Sequence, residues 1–181
     1  MNLSPTTALR AAALLLLSAG SLVWSGCSTT SVSAVAMPLE AVAKYSPAPQ
    51  TVSGIEALEG AQDYVAKHKS AGADYMIGSG DSMLPLYHDR AVVVTERPAL
   101  ESLKVGQTVV FMGANGPVAH VIVQQTSRGW VTMGLGNREA DDGTVTEEAY
   151  IGVVVKAYQP TSSAMLAYVK TASKGLYASN P

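Results

Sequence analysis

Two kinds of side chain in this sequence could cooperate in nucleophilic chemistry, a serine hydroxyl and an imidazole. Ser82 lies in residues 78–86, which read GSGDSMLPL and follow a predicted strand. A serine hydroxyl is a weak nucleophile at neutral pH, so it needs a base within hydrogen-bond reach to remove its proton during attack. Of the three histidines, His68 falls on a predicted helix, His88 in a turn and His120 in the middle of a predicted strand. Since the unperturbed pKa of histidine is about 6.5, a neutral imidazole at that strand position would be available as the base near physiological pH.

A carboxylate on the far nitrogen of the imidazole would fix its tautomer and stabilise the imidazolium that forms during the reaction. Asp141 is the first candidate for this role and Asp142 is the second. Each of these residues also has a purely structural interpretation. The two aspartates begin an Asp-Asp-Gly turn, and Ser82 could be a turn residue close to a proline. His120 shares its strand face with apolar neighbours, so it could be a half-buried histidine with a hydrogen-bond partner.

Five segments, in order along the chain, resemble the signal peptidase I family of serine peptidases and its relatives, the self-cleaving repressors. Ser-Met-x-Pro at Ser82 resembles the nucleophile segment of the family. Residues 119–122 (AHVI) resemble the His-Arg-Val-Ile segment of its archaeal and endoplasmic-reticulum branch, in which histidine replaces the catalytic lysine. The other three matching segments are residues 104–111 (KVGQTVVF), 132–141 (TMGLGNREAD) and 150–154 (YIGVV). The resemblance covers about residues 75–158.

This resemblance implies a Ser-His peptidase in which Ser82 attacks the scissile carbonyl, His120 acts as base and then as acid, and Asp141 or Asp142 orients the imidazole. It also implies extended substrates with small residues before the cut, bound by backbone pairing along an exposed strand edge. No lysine falls on the strand of His120, so a Ser-Lys mechanism is excluded. The backbone N–H of Ser82 and the neighbouring Met83 are expected to help hold the oxyanion and the substrate.

Three positions depart from the family pattern. Gln107 stands where an aspartate is usual, and Leu135 stands where the branch has the aspartate of Gly-Asp, which removes a carboxylate that could support the site. Gly80 stands where some members have a serine whose hydroxyl helps to hold the oxyanion, so the Ser82 N–H would carry more of that load. Losing one such donor can cost on the order of 100-fold to 1,000-fold in rate. The sequence therefore leaves two functions open, an exported serine endopeptidase and a noncatalytic, lipid-anchored binding or envelope-structural module on the same fold.

Residues 1–26 are typical of an export signal of the lipoprotein type. Arg10 precedes an uncharged apolar stretch that runs to Trp24 and falls short of a membrane span of about 20 residues. Small residues then lead into Cys27, and the segment resembles a bacterial lipobox in which Cys27 is lipidated, although Trp24 stands where leucine is usual. The alternatives are an uncleaved signal anchor and a cut after Ala36. Lipidation and an uncleaved anchor both place the body of the protein outside the cytoplasm, tethered to the membrane of the cell envelope.

The rest of the chain is predicted to form a mainly β domain with short flanking helices. Residues 27–54 are rich in Ser, Thr, Ala, Val and Pro and are interpreted as a linker. Residues 55–72 carry apolar side chains at three- and four-residue spacing, which predicts an amphipathic helix. Residues 73–159 are predicted to be a twisted antiparallel β-domain of the signal-peptidase and self-cleaving-repressor type, and residues 160–181 a C-terminal helix and tail. The predicted strands are residues 75–78, 91–95, 108–112, 118–124, 130–133 and 150–158.

The composition excludes several classes of protein. With 181 residues, 48% of them hydrophobic, the chain can form one domain with a sizeable core and is not a disordered chain. The formal net charge of -2, without a block of either sign, argues against a nucleic-acid partner. The single cysteine excludes an intramolecular disulfide and a cysteine-rich metal site, and the three histidines lie in unrelated segments, so no metal or other cofactor is expected. The expected partners are exported polypeptide substrates and the membrane that holds the lipid anchor.

Overall fold

The computed structural model describes residues 35–161 of the chain. The mainly β fold expected from the sequence is confirmed, because strands make up 37% of the described residues and helices 21%. The helices and strands, in chain order, are α1 (Leu39–Tyr45), β1 (Gln50–Val52), α2 (Gly54–Lys67), β2 (Asp74–Ile77), β3 (Val92–Glu96), β4 (Thr108–Gly113), β5 (Gly116–Thr126), β6 (Gly129–Met133), β7 (Thr144–Val145) and β8 (Tyr150–Pro160). Short 3-10 turns lie at Lys69–Ala71 and Leu100–Ser102.

The strands form one sheet in the order β2-β3-β8-β4-β5-β6-β7, in which neighbours are antiparallel. The long strand β8 lies third in this order, between β3 and β4, and β1 pairs in parallel with its last residues, Gln50 lying opposite Tyr158. The register shifts at three points, of which the one between Ile122 and Gln124 lies on the strand that carries His120. Irregularities of this kind bend a strand and increase its twist, so they help to aim side chains at the end of a sheet.

Apolar side chains are buried on both faces of the sheet. Val110 and Val121 belong to one buried cluster, whereas their chain neighbours Val109 and Ile122 belong to a second cluster. This division follows from the alternation of side chains along a strand. Because the two faces are both covered, the central strands form continuous apolar runs rather than alternating ones.

Helix α2 covers the β3 side of the sheet and begins with a capping box. The Ser53 side chain accepts the Glu56 N–H, and the Glu56 side chain accepts the Ser53 N–H. Ala57 and Ala61 are fully buried in the third apolar cluster, which includes Tyr158 of β8. The helix predicted over residues 55–72 is therefore present as Gly54–Lys67 followed by the 3-10 turn Lys69–Ala71.

The described part of the predicted linker 27–54 differs from the prediction, since it contributes α1 and β1 to the domain. Val42 of α1 is buried in the first cluster. The Ser46 hydroxyl donates to the Gly106 carbonyl at 2.8 Å and lies 2.7 Å from the Thr108 hydroxyl. The prolines of this segment flank its elements, because Pro38 precedes α1 and the other two lie between α1 and β1.

All six predicted strands are present within one or two residues of their predicted bounds, whereas β1 and β7 were not predicted. The export signal, Cys27 and the predicted C-terminal helix lie outside residues 35–161. Within the described residues, no helix is both long enough and apolar enough to cross a membrane.

Candidate active site

Ser82 lies in the loop between β2 and β3, and hydrogen bonds close the base of this loop. The Gly78 N–H donates to the Ala91 carbonyl at 2.8 Å, and the Arg90 N–H donates to the Gly78 carbonyl at 3.0 Å. Inside the loop, the Leu84 N–H donates to the Asp81 carbonyl at 3.1 Å and closes a turn around Ser82. Ser82 is half-buried, so the residue packs against the domain and remains partly accessible to solvent.

His120 lies on β5, opposite Val109 of β4, and its side chain reaches the Ser82 loop. The imidazole is buried, with 7% of the residue exposed, and the ring of Phe111 contacts it edge-on with 6.4 Å between ring centres. The His120 Nε2 lies 3.1 Å from the Ser82 Oγ. The predicted base and nucleophile are therefore within hydrogen-bond reach of each other across 38 residues of sequence.

Asp141 lies in the segment that follows β6, and it meets the other side of the imidazole. Its N–H donates to the Thr132 carbonyl at 2.8 Å, which fixes the backbone beside β6. Its Oδ2 accepts the His120 Nδ1–H at 2.7 Å. Asp142, the second candidate for this role, is exposed and makes no hydrogen bond to His120. The geometry thus favours Asp141 as the carboxylate that orients the imidazole.

The hydrogen bonds set the protonation states of the site. Burial raises the pKa of the Asp141 carboxyl. The hydrogen bonds from His120 and Thr132 and the electrostatic interaction with His120 lower that pKa by a larger amount, so it lies below its usual value. An ionised carboxylate can only accept, so the His120 Nδ1 carries a proton. In the neutral ring the Nε2 lone pair then faces Ser82 and accepts its hydroxyl proton.

Thr132 completes the site, and the sequence interpretation did not single it out as a functional residue. Its hydroxyl donates to the Asp141 Oδ2 at 2.6 Å, the same oxygen that accepts from His120. Ile122 pairs with Thr132 across β5 and β6, so Thr132 lies on the face that also carries His120. A buried threonine in an otherwise apolar strand, diagonal to a candidate histidine, is the signal that could have identified it.

The segment after β6 also contacts the nucleophile loop. The Gly136 N–H donates to the Ser82 carbonyl at 2.8 Å. Leu135, which stands where the resemblance implies an aspartate, is partly buried against the apolar cluster that includes Met83. A carboxylate in that place would have to be desolvated among apolar side chains, so this departure suits the packing here.

The residues expected to hold the oxyanion differ in whether their backbone N–H groups already have an acceptor. The Gly80 N–H already donates to the Asp89 Oδ1 at 3.1 Å, and Gly80 has a φ of 96°. Within residues 35–161 the backbone N–H groups of Ser82 and Met83 donate to no protein atom. Met83 itself is buried, with 5% exposed, and its side chain anchors the loop in the core.

The other two histidines lie apart from this site. The His68 ring stacks on the Tyr64 ring with 3.9 Å between their centres, and His88 is exposed in the loop. No group of three or more His, Cys, Asp or Glu side chains within the described residues is arranged to hold a metal ion. Ser82, His120, Asp141 and Thr132 are joined by hydrogen bonds into one cluster that does not include His68 or His88.

The chain matches no protein-family model, and no curated protein matches it significantly.

Proposed function

We propose that the protein is a serine endopeptidase that is tethered to the membrane of the cell envelope and cleaves exported polypeptides near small residues. The observation that carries the proposal is the continuous hydrogen-bonded chain from the Ser82 Oγ through both nitrogens of His120 to the Asp141 Oδ2, with links of 3.1 Å and 2.7 Å. This chain supplies a nucleophile, a base and a group that holds the base in one tautomer. The tether is expected at Cys27.

In the acylation step, the Ser82 Oγ attacks the scissile carbonyl carbon while its proton passes to the His120 Nε2. The carbonyl electron pair moves to oxygen and forms a tetrahedral oxyanion. The carbon–nitrogen bond then breaks as the His120 Nε2–H is given to the leaving amine. The Asp141 carboxylate stabilises the imidazolium that exists between these two proton transfers.

In the deacylation step, a water molecule gives its proton to the His120 Nε2 and attacks the ester carbon of the acyl-enzyme. Collapse of the second tetrahedral species breaks the bond between this carbon and the Ser82 Oγ, which recovers its proton from the imidazole. The carboxylic acid product leaves, and the site returns to its starting protonation state. No cofactor is needed for either step.

Substrate binding is proposed along β2, which leads directly into the Ser82 loop. Among the described strands, β2 pairs only with β3, so its other edge has no strand partner. An extended peptide could add to that edge through backbone hydrogen bonds and reach the serine at the end of the strand. This mode recognises the substrate through its backbone and small side chains. It does not require charged groups on the enzyme, which agrees with a net charge of only -2.

The experiment compares the purified mature protein with its Ser82→Ala variant on peptides that carry small residues at the first and third positions before the cut. Hydrolysis by the wild type that is lost in Ser82→Ala supports the proposal. Equal cleavage by both proteins would remove Ser82 from the mechanism. No cleavage by either protein on any such peptide would favour the alternative, a noncatalytic lipid-anchored binding or structural module.

A further inference from the structure

Two glycines bring the segment after β6 unusually close to the backbone of the nucleophile loop. A Cβ added at Gly134 would lie 2.8 Å from the Ser82 carbonyl oxygen. A Cβ added at Gly136 would lie between 3.3 and 3.5 Å from the carbonyl oxygens of Asp81, Ser82 and Leu84. Neither glycine has a positive φ, so close approach, rather than backbone conformation, accounts for glycine at position 134, and the fit at position 136 is tight only against the Asp81 carbonyl oxygen.

The contact fixes the orientation of one peptide group beside the nucleophile. The carbonyl of Ser82 and the N–H of Met83 belong to the same peptide, and in a planar trans peptide these two groups point to opposite sides. The bond of 2.8 Å from the Gly136 N–H holds the Ser82 carbonyl against the segment after β6. The Met83 N–H is therefore aimed away from that segment, and no protein atom within residues 35–161 accepts it.

The site lacks the second oxyanion donor that position 80 could otherwise provide. Gly80 has no side-chain hydroxyl, and its N–H is already engaged by the Asp89 carboxylate. The Ser82 N–H alone would leave the oxyanion with a single fixed donor. Two preorganised donors are the usual arrangement for stabilising an oxyanion.

We propose that the Met83 N–H is the second oxyanion donor and that Gly136 is a positioning residue that aims it. This inference rests on the proposed peptidase function. As the bond between the Ser82 Oγ and the substrate carbon forms, the carbonyl electron pair moves to oxygen, and the Ser82 and Met83 N–H groups receive that charge. When the carbon–nitrogen bond breaks, the pair returns to the carbonyl and the amine takes its proton from His120.

The test is Gly136→Ala, with Gly143→Ala as the matched control. A Cβ at position 136 would lie 3.3 Å from the Asp81 carbonyl oxygen, so the loop that carries Ser82 must give by a few tenths of an ångström, whereas a Cβ at Gly143 meets nothing within 4 Å. We expect kcat of Gly136→Ala to fall by about 10-fold to 100-fold with KM unchanged, since the lost interaction forms only in the transition state. Inhibition by a peptide aldehyde should weaken by the same factor, because the oxygen of its hemiacetal with Ser82 occupies the oxyanion position.

A second variant removes the donor without changing any side chain. Replacing Met83 by the α-hydroxy acid with the same side chain converts the Ser82–Met83 amide into an ester, and we expect kcat to fall by about 100-fold. A wild-type enzyme whose hydrolysis depends on Ser82, together with unchanged kcat and unchanged aldehyde inhibition in both variants, would overturn this inference and leave the proposed function standing. A wild type without Ser82-dependent hydrolysis would overturn both.

Discussion

Replacing Thr132 by valine tests whether the hydroxyl on Asp141 supports the site or merely satisfies a buried threonine. The two side chains have the same shape, and Thr132 is 1% exposed, so the change deletes one hydroxyl and leaves the packing in place. The hydroxyl donates to the Asp141 Oδ2 at 2.6 Å, a length typical of an O–H group bound to a charged oxygen. The Asp141 oxygen that accepts from His120 would then lose its second donor.

The magnitude follows from the kind of hydrogen bond and from its exposure. A hydrogen bond to a charged group contributes about 1.5–3 kcal/mol. The Asp141 side chain is 26% exposed, so water can replace part of the lost bond, and the lower end of that range applies. We expect Thr132→Val to lower the free energy of unfolding by about 1–2 kcal/mol. Because the bond strengthens only in part when Asp141 faces the imidazolium, and 1.4 kcal/mol corresponds to about 10-fold in rate, we expect kcat to fall by about 3-fold to 10-fold.

The assay is peptide hydrolysis with kcat and KM determined separately, beside urea unfolding of the same proteins. Thr108→Val is the matched control, because Thr108 is also fully buried in the sheet but its hydroxyl pairs with Ser46 instead of with the site. The control should lose about 1 kcal/mol of stability and keep its kcat. If Thr132→Val and Thr108→Val show the same kinetics, Thr132 has only a structural role and the reasoning fails.

Four further predictions concern two carboxylates and two tyrosines. Asp141→Asn should lower kcat by about 10⁴-fold, as in other Ser-His-Asp sites, and Asp142→Asn should remain near wild type in the same peptide assay. The pKa of Asp141 is lowered from 3.8, so its contribution to stability is present above that pH and is lost as the pH falls through the folded value; acid unfolding of Asp141→Asn should lack this component. The buried hydroxyl of Tyr150 has no partner within residues 35–161, so Tyr150→Phe should raise the free energy of urea unfolding by about 1 kcal/mol. Burial and the bond to Glu96 raise the pKa of Tyr64 from 10.0 to about 12, so stability should fall as the pH rises through this window, and less so in Tyr64→Phe.

The parts of the fold that could be predicted from the sequence are those with local signals. The strands β2 to β6 and β8 are runs of apolar and β-branched residues bounded by turn residues, and α2 has helical spacing behind a capping box. By contrast, β1 has three residues and is stabilised by pairing with β8, more than 100 residues later in the chain. Helix α1 has seven residues with one buried side chain, and it packs so closely on Gly106 that a Cβ there would meet Ala41. Such contacts between distant segments leave no periodic pattern in the sequence.

In the candidate site, too, residues with a local signal could be predicted, and residues whose role depends on contacts between distant segments could not. Ser82 and His120 were identified by their chemistry and by the resemblance, and the structure brings them together over 38 residues of chain. The choice between Asp141 and Asp142 was open, because adjacent residues in a turn are equivalent until the backbone is fixed. The Asp141 N–H bond to the Thr132 carbonyl fixes it and turns the Asp141 carboxylate towards His120. Thr132 was missed because its role depends on strand register, which cannot be read from β6 alone.

The central claim is tested most directly by covalent modification with a serine-directed fluorophosphonate at neutral pH. The measurement identifies the residue that is modified and compares the rate of modification in the wild type and in His120→Gln. The hydrogen-bonded chain from Ser82 to Asp141 predicts one adduct per molecule, located on Ser82 by peptide mass spectrometry, and slowed at least 100-fold in His120→Gln. Ser79, in the same loop but outside this chain, should remain unmodified. No adduct on Ser82, or equal modification in wild type and His120→Gln, would contradict an activated serine at this site.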